Sequence, residues 1–202
     1  EIVVRESMFW EPSIVRGGCS IIRAMLSPDE WSAVRLSLAT ALCAVAAGLP
    51  LATVVGYYLA RSRRRGKWIV DAVVSLPLVL PPVVTGYLLL LLVGRRGPVG
   101  ALVYEAFGVR IAFTWTAAAL AALVVGFPLM VRAVRLGFEG VDPRLEAAAR
   151  SLGAGRIEAF LRVTLPLASR GLAAGAVLGF ARGLGEFGAT IVVAGNTPGV
   201  TR

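Results

Sequence analysis

The chain has 202 residues, of which 57% are hydrophobic and only 16% charged, against about 25% charged in a soluble domain; its mean hydropathy is +0.77. It carries 21 Lys and Arg against 12 Asp and Glu, a net charge of +9, with 2 Cys and no His. The lack of histidine excludes His-based acid–base chemistry and the usual zinc sites, and basic residues clustered beside apolar runs fit a membrane protein and not a nucleic-acid binder.

Residues 1–24 mix charges with Pro12, Gly17 and Gly18 and hold no long apolar core. They read as a poorly structured or non-native extension, not a signal peptide, with Met25 a plausible natural start. From 25 to 202 the chain reads as one transmembrane domain. About 20 apolar residues cross the hydrocarbon core as a helix, and four runs qualify. The first is 36–60, between Arg35 and Arg61; Cys43 lies inside it, which argues against a disulfide framework. The second is 72–94, between Asp71 and Arg95, and it contains Pro77, Pro81 and Pro82. Each proline removes a backbone donor and bends a helix. The segment is therefore expected to be either a broken helix lining a pathway or a span kinked for packing, whereas Pro50 and Pro128 read as ordinary kinks.

The third run is 111–131, between Arg110 and Arg132. The fourth is 171–195, interrupted by Arg182 and Glu186. Those two are four residues apart and share a helix face. Two readings stand: an ion pair turned toward the bundle interior, as intramembrane charges usually are, or an arginine offering its hydrogen-bonding fork to a passing oxyanion. Thr85, Thr190 and Asn196 are candidate neutral donors, with helix packing and capping as the plainer roles. Gly171, Gly175, Gly179 and Gly183 recur every four residues, a stripe that lets another helix approach closely.

Loop charge sets orientation. RSRRRGK, 61–67, has five positives and no negatives, and 132–170 has seven positives and four negatives; 95–110 has three and one, and the segment before the first span four and five. By the positive-inside rule, loops 61–71 and 132–170 are cytoplasmic and the N-terminus is outside.

The segment 132–170 is too long for a simple turn. Asp142-Pro143 is an N-cap followed by proline at the first helical position. Leu145–Leu152 reads as a short helix ended by Gly153 and Gly155. A second stretch, Arg156–Thr164, is expected to place Ile157, Phe160 and Leu161 on one face, and Leu165-Pro166 punctuates the entry to the fourth span. A helix–glycine–helix knob of this kind can dock in a groove on a soluble partner.

Gly153, nine residues, then Val163-Thr164-Leu165-Pro166 resembles the EAA loop of ABC importer permeases. The resemblance implies that Glu146, Ala147, Ala148, Gly153, Ala154, Gly155, Phe160, Val163, Leu165 and Pro166 belong to a coupling loop that contacts a cytoplasmic ATPase. The family's glutamate stands six residues before the glycine, where this chain has Ala147; Glu146 is one earlier. LPLVLPPVVTGYLLLLLVGRRGPVG, IAFTWTAAALAALVVGFPLMVRAVR and GFARGLGEFGATIVVAGNTPG resemble permeases of the molybdate type, with the sulfate/thiosulfate permeases as close relatives. Implied are an all-α polytopic bundle, four spans here with a further C-terminal helix missing, and a pathway near Pro81, Pro82, Thr85, Arg182, Glu186 and Thr190. Implied partners are a second copy of the chain, two ATPase subunits using ATP–Mg, an extracytoplasmic molybdate-binding protein and the lipid bilayer, with no nucleic acid.

No GxxxxGK[ST] text is present, so no nucleotide is bound by that route and no cofactor is expected on this chain. A membrane-embedded enzyme would need clustered acids or histidines at the membrane face, and the acids are scattered. A secondary transporter or channel would leave the coupling loop without a purpose.

Overall fold

The computed structural model describes residues 28–94, 97–108, 113–186 and 190. The expectations for residues 1–24, and for 187–202 apart from Thr190, lie outside the described residues. The elements are α1 (Pro28–Arg61), α2 (Lys67–Val79), α3 (Pro82–Val93), α4 (Pro98–Phe107), α5 (Trp115–Glu139), α6 (Pro143–Ser151), α7 (Arg156–Ala159), a π-helical turn (Phe160–Thr164), α8 (Leu165–Leu167) and α9 (Ser169–Leu184). The chain is an all-α membrane bundle. Among the described residues, Trp31–Arg61 and Trp115–Glu139 are each long and apolar enough to cross a bilayer, and the number rises to four if two bent helix pairs each count as one span.

The bundle is organised around α5, which packs against α1, α9, α2 and α3. Thirteen of its residues are buried, from Ala117 to Phe138. Lipid tails are as apolar as a helix surface, so spans associate by close van der Waals packing, which favours small side chains. Two stripes of such residues clasp α5. On α1, Ala41, Ala44, Gly48, Ala52 and Gly56 are buried at a spacing of three or four. On α9, Gly175, Gly179 and Gly183 are buried. Met130 fills the space that a Cβ would need on both sides: one built at Gly48 would lie 2.6 Å from its Cε, and one built at Gly179 would lie 2.6 Å from its Cγ. An unbranched, adaptable thioether suits such a position.

The run 72–94 is a broken helix, one of the two alternatives its prolines left open: α2 and α3 meet at a bend of 114°. Leu80 and Pro81 are extended (ψ 141° and 139°), because a residue before proline avoids the helical region and two consecutive prolines offer no N–H. Pro77, expected to bend the chain as well, lies within α2 without ending it. The third span does not stop before Arg132, since α5 continues to Glu139. The charges that were expected to end it have partners: Arg132 donates to Ser75 Oγ at 3.2 Å, and Arg135 pairs with Asp71 at 3.5 Å and Glu139 at 2.7 Å. In the fourth span, α9 ends at Leu184 with Gly185 as its cap, so Glu186 lies just past the helix that holds Arg182. Cys43 is a free thiol on an exposed face of α1.

Candidate functional site

The knob begins where Asp142 accepts a hydrogen bond from the Arg144 backbone N–H at 2.9 Å, with Pro143 at the first helical position. This satisfies one of the donors that a helix start leaves open. Gly153 has φ +97°, a conformation that side chains disfavour. A Cβ there would meet nothing within 4 Å, so backbone conformation, not space, selects glycine.

The second helical stretch is not regular. It passes from α7 into the π turn, where the Leu165 N–H donates to the Phe160 carbonyl five residues back. Pro166 has no N–H for the carbonyl four residues before it, and its ring would crowd that carbonyl; a widened turn relieves both problems. The expected shared face of Ile157, Phe160 and Leu161 is not found. Ile157 and Leu161 are exposed, at 76% and 52%, while Phe160 turns inward against Tyr57 (ring centroids 4.9 Å) and Phe138 (6.0 Å). Tyr57 meets Phe138 edge-on at 5.3 Å.

Of the other loop residues named from sequence, Ala147, Ala148, Gly153, Gly155 and Pro166 are exposed, and Ala154, Val163 and Leu165 are half-buried. Glu146 faces inward. Its carboxylate accepts from the Thr164 hydroxyl at 3.0 Å and lies 3.4 and 3.5 Å from the Tyr57 hydroxyl. The first is an ordinary hydrogen bond and the second is at the outer limit for one. Arg61, at the end of α1, donates to the Val141 carbonyl at 3.0 Å. The knob is thereby tied to α1 at two points and to the entry of α9 through Thr164. From sequence, Tyr57 carries no signal, Thr164 stands only as part of the Val163-Thr164-Leu165-Pro166 motif, and Arg61 only as the end of the first span. Tyr57 lies 89 residues from Glu146, and a tyrosine at a span end ordinarily reads as an interface anchor.

Thr164 is fully buried, so Glu146→Ala leaves its hydroxyl without this acceptor. The expected cost is about 1–3 kcal/mol, read as faster protease cleavage between Asp142 and Pro166 in the detergent-extracted protein. Glu146→Gln, which keeps an acceptor, is expected to cleave near the wild-type rate.

The second locus lies within the bundle. Arg182 Nη1 pairs with Glu186 Oε2 at 2.6 Å, and the glutamate side chain is 1% exposed against 27% for the arginine. Next to it, a Cβ at Gly183 would meet Ala41 and Ala122. At the Pro81 break, the Thr85 hydroxyl is directed to the Pro81 carbonyl at 3.4 Å, and the residue is buried. Pro81 and Pro82 are exposed. One turn on, Leu89 joins Ala117, Ala118, Ala121 and Val125 in a single cluster. The break and the ion pair therefore address the same stretch of α5. Thr190 is half-buried in helical conformation, and Asn196 lies outside the described residues.

A bundle with a broken span, close-packed glycine stripes and a knob tied to its first helix is the architecture of a polytopic transport permease. Residues 48–202 match the family described as binding-protein-dependent transport system inner membrane component, and the chain belongs to that family. The molybdenum transport system permease protein ModB of Escherichia coli K12 is 54% identical over 178 residues, covering 88% of this chain and 78% of that protein. ModB of Haemophilus influenzae is 50% identical over 173 residues, covering 86% and 76%. ModB of Azotobacter vinelandii is 37% identical over 177 residues, covering 88% and 78%.

Proposed function

We propose that this chain is the membrane-spanning permease subunit of an ATP-driven molybdate importer. The observation that carries the reading is the exposed helix–glycine–helix knob, presenting Ala147, Ala148 and Gly153, in a chain akin to molybdenum transport permeases over nearly nine tenths of its length. The chain is non-catalytic and binds no cofactor; a separate cytoplasmic ATPase consumes ATP–Mg. Two copies pair around one pathway, and an extracytoplasmic protein delivers the oxyanion. Loops 61–71 and 132–170 face the cytoplasm and the N-terminus lies outside, as the excess of Arg and Lys in those loops supports.

The attachments of the knob supply the coupling. ATP binding closes the ATPase dimer and displaces both knobs. Each knob pulls α1 through the Arg61–Val141 and Tyr57–Glu146 contacts, and it pulls α9 through the π turn. Because α1 and α9 both clasp α5, the displacement reaches the level of the Pro81 break and the Arg182–Glu186 pair. The pathway is lined there by Pro81, Pro82, Thr85, Arg182, Glu186 and Thr190. A transporter site must hold its ion weakly enough to release it, and an arginine already paired with a carboxylate meets that requirement.

The test reconstitutes the full-length permease, ATPase and binding protein in liposomes and records ATP hydrolysis with the binding protein loaded with molybdate, loaded with sulfate, or empty. Stimulation by molybdate is expected, and bulky replacements at Ala148 and Gly153 should abolish it. Stimulation by sulfate alone would overturn the substrate assignment and keep the importer. An ATPase that never associates would overturn the importer reading and bring the secondary transporter forward.

A further inference from the structure

The knob carries four acidic groups on or beside its helices, and each is already engaged. Asp142 caps α6. Glu146 is turned inward to Thr164. Glu139 pairs with Arg135, and Glu158 pairs with Arg162 at 3.0 Å. The cations divide differently. Among the described residues, Arg135, Arg162 and Arg182 take part in salt bridges, while Arg150 and Arg156 do not and are exposed. These two arginines stand, with Ile157, around one open cleft floored by Tyr57, Phe160 and Glu146. Ile157, on the cleft, and Leu152, which lines a second hollow with Glu158 and Arg162, are 76% and 88% exposed. The exposed side chains of the knob are therefore mainly apolar and cationic, and the carboxylates they lie among, Glu146 on the cleft floor and Glu158 beside Arg162, are each already engaged.

We propose that the ATPase partner docks here through an apolar groove bordered by carboxylates, one of which enters the cleft between Arg150 and Arg156. The interfacial ion pair then runs from an acid of the ATPase to a base of the permease, and Glu146 is a positioning residue behind the interface, not a docking group. This inference rests on the importer reading above. Two features favour a protein carboxylate. A guanidinium fork matches a carboxylate with two parallel hydrogen bonds. The adjoining leucine and isoleucine need an apolar groove to cover them.

The experiment uses the full-length permease and its ATPase, co-purified in detergent without nucleotide, and measures association at rising salt. Arg150→Gln with Arg156→Gln is expected to weaken association about tenfold or more at low salt and to flatten its salt dependence. Arg150→Lys and Arg156→Lys, which introduce amines, are expected to form a permease–ATPase crosslink with a zero-length carbodiimide; peptide mapping then identifies the ATPase carboxylate. Reversing that carboxylate to lysine should restore binding to Arg156→Glu. The unfolding midpoint of each permease variant alone is measured alongside, and the lysine variants keep the positive charge if the glutamine pair unfolds early. Unchanged association with no crosslink at either lysine would overturn the proposal while leaving the importer reading intact. Failure of the unsubstituted permease to bind the ATPase would overturn the importer reading itself.

Discussion

Arg182→Met is expected to be among the most damaging single substitutions in this chain. The Glu186 side chain is 1% exposed and its carboxylate lies 2.6 Å from the guanidinium. At 1.5 Å per residue the pair sits about 20 Å along α9 from Ser169, deep in a layer whose hydrocarbon core is about 30 Å thick. Removing one member of a buried pair costs about 3–5 kcal/mol. The measurement is yield and unfolding midpoint of the detergent-extracted permease. Arg182→Met combined with Glu186→Gln is expected to recover most of the loss, since removing both charges of a buried pair is often close to neutral. A single variant as stable as the unsubstituted protein would show that water reaches Glu186. The recovered double variant then decides the role of the pair: transport at the original rate makes it structural, whereas restored stability without transport assigns the pair to the pathway.

How much could be read beforehand follows from which interactions are local. The Asp142-Pro143 cap, the stop at Gly153 and the glycine stripe depend on neighbours within a turn, and the structure holds α6 and α9 close to where those signals put them. The bend at Leu80-Pro81 was legible as a bend and not as one of 114°, because proline removes a hydrogen bond without fixing the direction the chain takes next. The end of α5 was misplaced because charge was used as a boundary, and Arg132 and Arg135 find Ser75 and Asp71 on α2, some sixty residues earlier. The π turn escaped because a helical period of 3.6 was carried through Phe160–Thr164, which adds a residue to the turn, and the inward face of Phe160 escaped because Tyr57 and Phe138, which it packs against, are distant in sequence. Glu146 illustrates the same limit in the site itself. Its place beside the usual glutamate position suggested a docking surface, and only the tertiary approach of Tyr57 and Thr164 reveals that it faces the other way.

The glycine stripe gives the last expectation, because the four positions differ in what an added methyl group would meet. At Gly171 a Cβ would run into the Gly137 Cα, with Gly137 N at 2.9 Å and the Ala133 carbonyl at 3.1 Å. All three are backbone atoms of α5, which cannot turn aside, so the two helices must separate. At Gly179 the nearest atoms are Met130 Cγ and Sδ at 2.6 and 2.7 Å, part of a side chain that can change rotamer. At Gly183 the nearest are Ala41 Cα and Cβ at 3.4 Å, which is ordinary contact. Against these stands one constant gain, since alanine is favoured over glycine within a helix by about 1 kcal/mol. Overpacking typically costs about 1–3 kcal/mol. Gly171→Ala is therefore expected to lose about 2 kcal/mol net, and Gly179→Ala to lie near zero as Met130 moves. Gly183→Ala is expected to gain a few tenths, at roughly half the propensity difference. Unfolding midpoints of the three variants in one detergent check the order. Gly137→Ala should mimic Gly171→Ala, because a Cβ there meets the Gly171 Cα at 2.8 Å. The two together should cost less than the sum of the singles, since helices already parted by one methyl group accept the second more easily. Equal losses at the three stripe positions would mean that flexibility, and not close approach to α5, is what the glycines provide.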